Sequence, residues 1–219
     1  MKQIIFVRLL LLAFLLLVQG TPAASIAAVQ PSGNLSQANT DIAITEVFYR
    51  GGTGEDWVEI TNLGSETIDI SNWWFCSKFS YGQLSTMTLL VGDDFVMLPG
   101  EVIAVQTWKD LHDIIADLGL YSTNSFSSSD AMVDYVQWGT DANPGRGNVA
   151  VSKGIWREPM PGVYDFVPTA AEGQSAQWSG INSGGGLLTH ASDWANAAPS
   201  QGTFEKPTFQ IYLPQVSKS

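Results

Sequence analysis

The sequence predicts an all-β fold, an antiparallel sandwich or barrel, in the part of the chain that begins at Asp41. Short runs of β-branched and aromatic residues follow one another closely, and glycine, asparagine and aspartate separate them, which is typical of strands joined by turns. Hydrophobic residues make up 45% of the chain and the mean hydropathy is +0.07, so the composition can bury a core and excludes wholesale disorder. The close spacing favours antiparallel strands over a parallel α/β sheet.

The strand candidates follow one another along this region. Gly51-Gly52 ends the first, Leu63-Gly64-Ser65 is expected to join the second and third as a hairpin, and Pro99-Gly100 is expected to form a turn. The candidates are DIAITEVFY (41–49), DWVEITN (56–62), ETIDISNWWF (66–75), LSTMTLL (84–90), DFVML (94–98), EVIAVQ (101–106), AMVDYVQWG (131–139) and NVAVSKGIW (148–156).

One segment has a helical pattern instead. In TWKDLHDIIADLG the apolar residues recur at the spacing of one helix face, which predicts a short amphipathic helix at about 108–118 that lies on the β core. Thr107 and Asp110 resemble a capping box at its start, and Gly119 stands where such a helix would end.

Residues 1–27 have the layout of a secretory signal peptide. Lys2 and Arg8 precede the apolar run Leu9–Val18, and small residues follow that run. The run is shorter than the ~20 apolar residues that a spanning helix needs, so we expect a cleaved signal rather than an uncleaved anchor. The mature chain is then expected to be secreted or held at the cell surface, without a transmembrane span.

The charge balance limits the possible partners. The chain has 10 basic and 21 acidic residues, and removing Lys2 and Arg8 with the signal leaves 8 against 21, a net charge of −13. Nucleic-acid binding depends on lysine and arginine that neutralise phosphates, so we expect no nucleic-acid partner. Residues 28–40 are small and polar and are expected to form a flexible leader, and residues 207–219 are expected to form a C-terminal tail.

The sequence lacks the standard hydrolase and nucleotide-binding motifs. It contains no HExxH, no G-x-S-x-G and no P-loop. Cys76 is the only cysteine, which excludes an intramolecular disulfide, and its neighbours Trp73, Trp74 and Phe75 indicate a buried and inert thiol. We therefore expect a protein that is not an enzyme and that needs no cofactor, with bound Ca²⁺ as an open alternative.

Five stretches of the sequence carry a resemblance to a known family. They are ITEV (44–47), DWVEITN (56–62), IDISNW (68–73), SAQW (175–178), and SDW (192–194) with PSQG (199–202). In order and spacing they resemble the lamin tail domain, an immunoglobulin-like β-sandwich found in nuclear lamins and in many exported bacterial proteins; Asn72 stands where that family usually has glycine. The resemblance covers residues 41–206. It implies a non-catalytic binding or structural module that attaches to protein or polysaccharide outside the cell.

Two separate sets of residues are candidates for a hydrolytic site. Glu46 and Glu59 lie on strands that should be neighbours and could face each other as the carboxylates of a glycosidase do. His190, Asp193 and a serine could form a triad. For Glu46 and Glu59 we favour a structural role, with the carboxylates accepting backbone N–H bonds at a sheet edge or turn. A histidine with a neighbouring aspartate in a Gly/Ser-rich loop is common by chance, so we do not favour the triad. A small secreted hydrolase is the alternative that these residues leave open.

Acidic turns and outward-facing aromatic residues are the candidates for ligand binding. Glu55-Asp56 and Asp93-Asp94 lie in predicted turns, whose oxygen atoms are of the kind that binds Ca²⁺. Trp74 follows Trp73 on a strand, so it points away from the core if Trp73 points inward, and Trp156 is a second candidate for stacking on a ligand. A calcium-dependent carbohydrate-binding module, the other alternative, would place an exposed aromatic strip beside an acidic loop.

Overall fold

The computed structural model describes residues 41–140 and 145–205, and the chain there is built mainly from β-strands. The predicted signal peptide (1–27), leader (28–40) and tail (207–219) lie outside the described residues. The strands are β1 (Ile42–Phe48), β2 (Trp57–Asn62), β3 (Ile68–Asp69), β4 (Trp74–Ser77), β5 (Ser80–Gln83), β6 (Leu89–Val91), β7 (Val96–Met97), β8 (Val102–Gln106), β9 (Ala116–Tyr121), β10 (Met132–Trp138), β11 (Ser175–Trp178) and β12 (Trp194–Ala197), and the helix is α1 (Gly147–Lys153).

Two antiparallel sheets form a sandwich. The larger sheet has six strands in the order β12-β11-β1-β2-β8-β6, and the smaller has four in the order β10-β9-β4-β5. β3 and β7 pair separately as a two-stranded sheet. Every ladder between these strands is antiparallel. The predicted all-β, immunoglobulin-like sandwich is therefore confirmed.

The core consists of residues from the facing sides of the two sheets. In β2, Val58 and Ile60 are fully buried and alternate with residues of the opposite face, as a pleated strand requires. In the smaller sheet, Leu120 on β9 lies opposite Phe75 on β4, and both are fully buried. All four side chains belong to one hydrophobic cluster, so the sheets share a single core.

A β-bulge in β1 brings polar side chains together on the outer face of the larger sheet. The register of β1 against β2 shifts between Ile44 and Glu46, so that Ile44 lies opposite Ile60 and Glu46 lies opposite Glu59. The Thr45 hydroxyl, inside the bulge, donates to the Glu59 carboxylate over 2.7 Å. The consecutive side chains of Thr45 and Glu46 therefore both lie on the outer face of the sheet, whereas consecutive side chains of a regular strand lie on opposite faces.

The helix predicted at about 108–118 is wrong. The segment forms a loop and then enters β9 at Ala116. The N–H of Leu111 donates to the Asp56 carboxylate over 2.6 Å and Leu111 is buried, whereas Ile114 is 58% exposed, so the apolar residues do not share one face. Gly119, expected as the helix end, lies inside β9 between two partner strands. Pairing on both sides of β9 outweighs the local helical spacing, because the local pattern contains no information about distant partners.

The helix of the described residues is α1, and it lies where the sequence predicts the strand NVAVSKGIW, so that strand prediction is wrong. Val149 and Ala150 are buried, and α1 packs on β10. Gly154 ends the helix with φ of +81° and its N–H donates to the carbonyls of Ala150 and Val151, a left-handed glycine cap. No helix of the described chain has the length and apolar character needed to cross a bilayer.

The Leu63-Gly64-Ser65 turn does not close a hairpin, and this prediction is wrong. β2 pairs inside the larger sheet, whereas β3 pairs with β7. The N–H of Leu63 donates to the Asp41 carbonyl over 2.5 Å, and the Asn62 side chain donates to the carbonyls of Glu66, before β3, and Met97, on β7. These bonds direct the chain out of the larger sheet. Pro99-Gly100 does form a turn, with Gly100 at φ of +78°.

The chain that follows β10 covers part of the outer face of the smaller sheet. Asp117 on β9 is fully buried there, and its two carboxylate oxygens accept the N–H groups of Lys78 over 2.8 Å and Arg146 over 2.6 Å. Because Lys78 lies in the turn between β4 and β5, these bonds fix Arg146 beside that turn.

Candidate binding surface

Glu46 is a structural anchor for the segment that follows β12. Its carboxylate accepts the Ser200 N–H over 3.0 Å, the Ser200 hydroxyl over 2.6 Å and the Gln177 amide over 3.2 Å. It also accepts the Ser175 hydroxyl, and Glu46 is only 1% exposed. The lone pairs of this carboxylate are therefore committed to protein donors.

Glu59, directly opposite Glu46, anchors the same segment. Its carboxylate accepts the Thr45 hydroxyl over 2.7 Å and the Gly202 N–H over 2.8 Å. Burial raises the pKa of Glu59, and the nearby charge of Glu46 acts in the same direction. Both carboxylates accept backbone N–H groups of the turn that follows β12, which is the arrangement expected of a structural role for this pair.

The His190 and Asp193 pair does not have triad geometry. His190 Nδ1 lies 3.0 Å from the Ser183 hydroxyl, but Asp193 contacts backbone rather than the imidazole. The Asp193 carboxylate accepts the N–H of His190 over 2.8 Å and that of Ser183 over 3.0 Å. Asp193 therefore stabilises the loop and does not orient the ring as a catalytic aspartate does.

The four acidic residues proposed as calcium ligands lie in different settings. Asp56 is buried and accepts the Leu111 N–H, and its pKa is raised to about 6, chiefly by burial. Glu55 and Asp93 are exposed, and Asp94 accepts the Val96 N–H over 2.7 Å within its own turn. Residues 41–140 and 145–205 contain no group of three or more His, Cys, Asp or Glu that could hold a metal ion. Bound calcium stays a prediction.

The two tryptophans proposed as ligand platforms differ in exposure. Trp156 is 1% exposed, with its indole N–H bonded to the Asp165 carbonyl over 2.8 Å, so its proposed role in ligand stacking is corrected to packing in the interior. Trp74 is half-buried and meets the Phe126 ring edge-on, with 6.0 Å between ring centroids. Phe126 in turn belongs to an exposed aromatic group.

The turn between β4 and β5 holds two residues in an unusual backbone conformation. Lys78 has φ of +46° and Phe79 has φ of +60°, and they are the only described residues other than glycine with positive φ. Two consecutive left-handed residues in a two-residue hairpin normally select Asn-Gly, because a Cβ makes this conformation costly. Phe79 is nevertheless 56% exposed, so burial of its ring does not explain its presence there. Such outliers concentrate at functional sites.

Aromatic rings and one guanidinium meet next to this turn. The Tyr81 ring, on a side chain 39% exposed, stacks on Phe126 with centroids 3.9 Å apart. The Arg146 guanidinium lies 4.8 Å from the Phe79 ring centroid and donates to the Tyr81 hydroxyl over 3.1 Å and to the Ser127 hydroxyl over 3.2 Å. We call these five residues, Phe79, Tyr81, Phe126, Ser127 and Arg146, the Arg146 surface.

An open concavity adjoins the Arg146 surface. It has a volume of about 550 Å³, and four of its six lining residues have hydroxyl or amide side chains. The lining residues are Asn124, Ser125, Phe126, Ser127, Ser128 and Arg146. An aromatic face, a cation and several hydroxyl groups together can stack on a ligand ring and hydrogen-bond to its substituents.

Beneath the Arg146 surface, the lone cysteine is inert, as the sequence predicts. Cys76 is fully buried, and burial together with the charge of Asp117 raises the pKa of its thiol to about 11. The thiol is therefore protonated at neutral pH and is not a nucleophile.

The carboxylate of Asp134 links the two sheets. Asp134 on β10 accepts the N–H of Ile44 over 2.7 Å, at the β1 bulge, and its own neighbour Tyr135 donates over 2.8 Å. Asp134 also lines a cavity of about 70 Å³ between the sheets. Burial raises its pKa to about 7, although both hydrogen bonds and Lys153 favour the charged form.

Sequence reasoning missed the Arg146 surface because distant segments build it. Arg146 is 65 residues from Tyr81 and 19 from Ser127 in the chain, so no local motif contains them together. A local signal did exist at the turn, where Lys78 and Phe79 stand between two strands in place of glycine or asparagine.

The architecture defines the class first: the chain is an immunoglobulin-like β-sandwich in which the carboxylates of Glu46 and Glu59 accept hydrogen bonds from a later segment of the same chain. A family model for the lamin tail domain matches residues 36–148, just over half of the chain. The chain belongs to the lamin tail domain family, whose immunoglobulin-like domains are in general non-catalytic. The comparisons with curated proteins and with solved structures give no significant match. β11 and β12 follow the matched region and complete the larger sheet beside β1.

Proposed function

We propose that this chain is an exported, non-catalytic attachment module that binds an extracellular polysaccharide through the Arg146 surface. One observation carries the proposal: Phe79 and Tyr81 are exposed aromatic side chains held in place by a guanidinium and a stacked ring. A sugar ring presents an apolar face to such an aromatic group, and its hydroxyl groups match the serine and asparagine side chains of the adjoining concavity.

Export is part of the proposal and has support in the sequence. Residues 1–27 combine Lys2 and Arg8 with an apolar run and small residues, the layout of a cleaved signal. Expression with this segment should deliver the protein outside the cytoplasm with a new N-terminus near Ala28. Cytoplasmic protein that keeps Met1 would contradict export.

The geometry of the carboxylates supports the non-catalytic part of the proposal. Glu46 and Glu59 bind the segment around Ser200 and Gly202, which occupies the positions that a substrate would need. The purified protein should release no product from a panel of glycosides and esters above background. Activity that disappears in Glu46→Gln or His190→Ala would overturn this part of the proposal.

Binding to a glycan array tests the Arg146 surface directly. Tyr81→Ala should lower the affinity for the bound glycan at least tenfold, because it removes the ring that stacks on Phe126 and accepts from Arg146. Ile181→Ala is the matched control, since Ile181 is also 39% exposed and lies outside this surface. An equal loss of glycan affinity in both variants would contradict the proposal. Binding to proteins on a matrix-protein array, without binding to any glycan, would contradict it as well.

A further inference from the structure

Three basic residues of the described chain lie close to one another. Lys78, Lys109 and Arg146 make up half of the lysine and arginine residues that the structure describes. Lys78 and Arg146 both donate a backbone N–H to Asp117, and Lys109 is close enough to Lys78 for the two charges to interact. Burial and the charge of Lys78 lower the pKa of Lys109. The three cations therefore lie close to one another at the turn between β4 and β5.

These three cations bind neutral oxygen atoms rather than carboxylates. The Lys78 ammonium lies 3.5 Å from the Ile115 carbonyl, and that of Lys109 lies 3.3 Å from the Ser77 carbonyl. The Arg146 guanidinium donates to the hydroxyls of Tyr81 and Ser127. In the described part of the chain the one ion pair joins Arg50 to Asp113, 3.7 Å apart, at a different place.

This arrangement is unexpected in a chain with 21 acidic and 10 basic residues. A cation on such a protein has many carboxylates available, and pairing with them is favourable at short range. Asp117 is fully buried and its charge interacts with those of Arg146 and Lys109, but its oxygens accept backbone N–H groups and not the side-chain N–H groups of these cations. The side-chain hydrogen bonds of these cations therefore go to neutral oxygen atoms, and an anion from outside would be their first hydrogen-bonded charge partner.

We propose that the ligand of the Arg146 surface is an acidic polysaccharide, whose sugar carboxylates pair with Arg146 while Phe79 and Tyr81 contact the sugar rings. This inference rests on the proposed function and specifies its ligand class. A planar guanidinium binds a carboxylate through two parallel N–H bonds, which gives orientation as well as charge. The hydroxyl and amide groups of the adjoining concavity favour a sugar over an acidic peptide, because sugar hydroxyls can bond to each of them.

Two polymers that differ only in their carboxylate groups test whether the ligand must be charged. Polygalacturonate and its fully methyl-esterified form share one backbone and differ in the carboxylate. The purified chain should bind polygalacturonate at least tenfold more tightly than the ester, and added NaCl should weaken only the first interaction, because salt screens charge pairs.

Three variants assign the effect to Arg146. Arg146→Gln should reduce affinity for polygalacturonate at least tenfold and weaken binding to the ester by a smaller factor, because the ester loses only the support that the guanidinium gives to Phe79 and Tyr81. Arg146→Lys should fall between the parent and Arg146→Gln, since an ammonium keeps the charge but not the planar fork. Arg157→Gln removes the same charge from an exposed arginine elsewhere and should stay within twofold of the parent chain. Unchanged melting temperatures would show that the losses are not unfolding.

The outcomes separate this inference from the proposed function. If ester and acid bind equally and both are lost in Tyr81→Ala, the inference fails and the proposed function stands. If neither these polymers nor neutral glycans bind, the proposed function fails as well. If poly-glutamate binds as tightly as polygalacturonate through Arg146, the surface takes acidic peptides, and the assignment to polysaccharide is overturned.

Discussion

The charged side chains on the outer faces of the two sheets differ in their burial and in their partners. On the larger sheet, Glu46 and Glu59 are buried, and a turn of the same chain supplies donors to both carboxylates. On the smaller sheet, the Arg146 guanidinium donates to the neutral hydroxyls of Tyr81 and Ser127 and lies 4.8 Å from the centroid of the exposed Phe79 ring. The paired carboxylates therefore bind a segment of the same chain, whereas the proposed binding surface lies where the hydrogen bonds of a charged group go to neutral partners.

The strongest test of this contrast removes the anchor on the larger sheet. Glu46→Ala leaves the Ser200 N–H and hydroxyl and the Ser175 hydroxyl without an acceptor, so we expect a loss of roughly 4 kcal/mol in the free energy of unfolding. Urea denaturation measures it. Binding through the Arg146 surface should persist in the folded fraction.

Two companion variants keep the test of Glu46 interpretable. Glu46→Gln retains one acceptor and should lose less than the alanine variant. Glu66→Ala removes an exposed carboxylate and should stay within about 0.5 kcal/mol of the parent. A loss below about 1 kcal/mol in Glu46→Ala would show that the C-terminal segment does not depend on this anchor.

A second test concerns Asp134. Its carboxylate accepts two hydrogen bonds, and burial still raises its pKa. Its pKa is about 7 in the folded chain and 3.8 in a model peptide, so the folded state binds more protons than the unfolded state between these values. The free energy of unfolding should therefore fall as pH rises from about 4 to about 7, by roughly 3 kcal/mol for this group.

Asparagine at this position isolates the contribution of Asp134. Asp134→Asn cannot ionise, so its melting temperature should depend less on pH than that of the parent across this range. Asp130→Asn, which removes a charge from an exposed position, should keep the parental slope. Equal slopes in the Asp134→Asn variant and the parent would assign the pH dependence to other groups, such as Asp56, whose pKa is about 6.

Local sequence signals predicted the regular strands and failed where distant partners decide the structure. Strands such as β1, β2 and β8 have dense β-branched residues and glycine at their ends, so composition and turns locate them. The segment at 108–118 has helical spacing, but β9 gains partners on both sides that the spacing cannot reveal. In NVAVSKGIW, helix formation follows from packing on β10 and the Gly154 cap.

The same distinction applies to function. The structural role of Glu46 and Glu59 could be predicted because an opposed pair of carboxylates on adjacent strands needs donors, and a turn supplies them. The Arg146 surface could not, since Asp117 fixes Arg146 beside a hairpin that lies far away in the sequence. Only the folded chain brings Tyr81, Ser127 and Arg146 together.

The smallest expected effect tests whether the hairpin turn stores strain for the sake of the exposed ring. Phe79→Gly and Phe79→Ala both remove the ring and should both weaken polysaccharide binding. Glycine adopts φ of +60° without a Cβ penalty, so the glycine variant should be more stable than the alanine variant by about 1 kcal/mol. At Ser85, which has ordinary backbone geometry, the order should reverse, because glycine loses more entropy on folding. If the alanine variant is more stable than the glycine variant at both positions, the turn is unstrained. The backbone conformation of Phe79 then gives no support to a binding role.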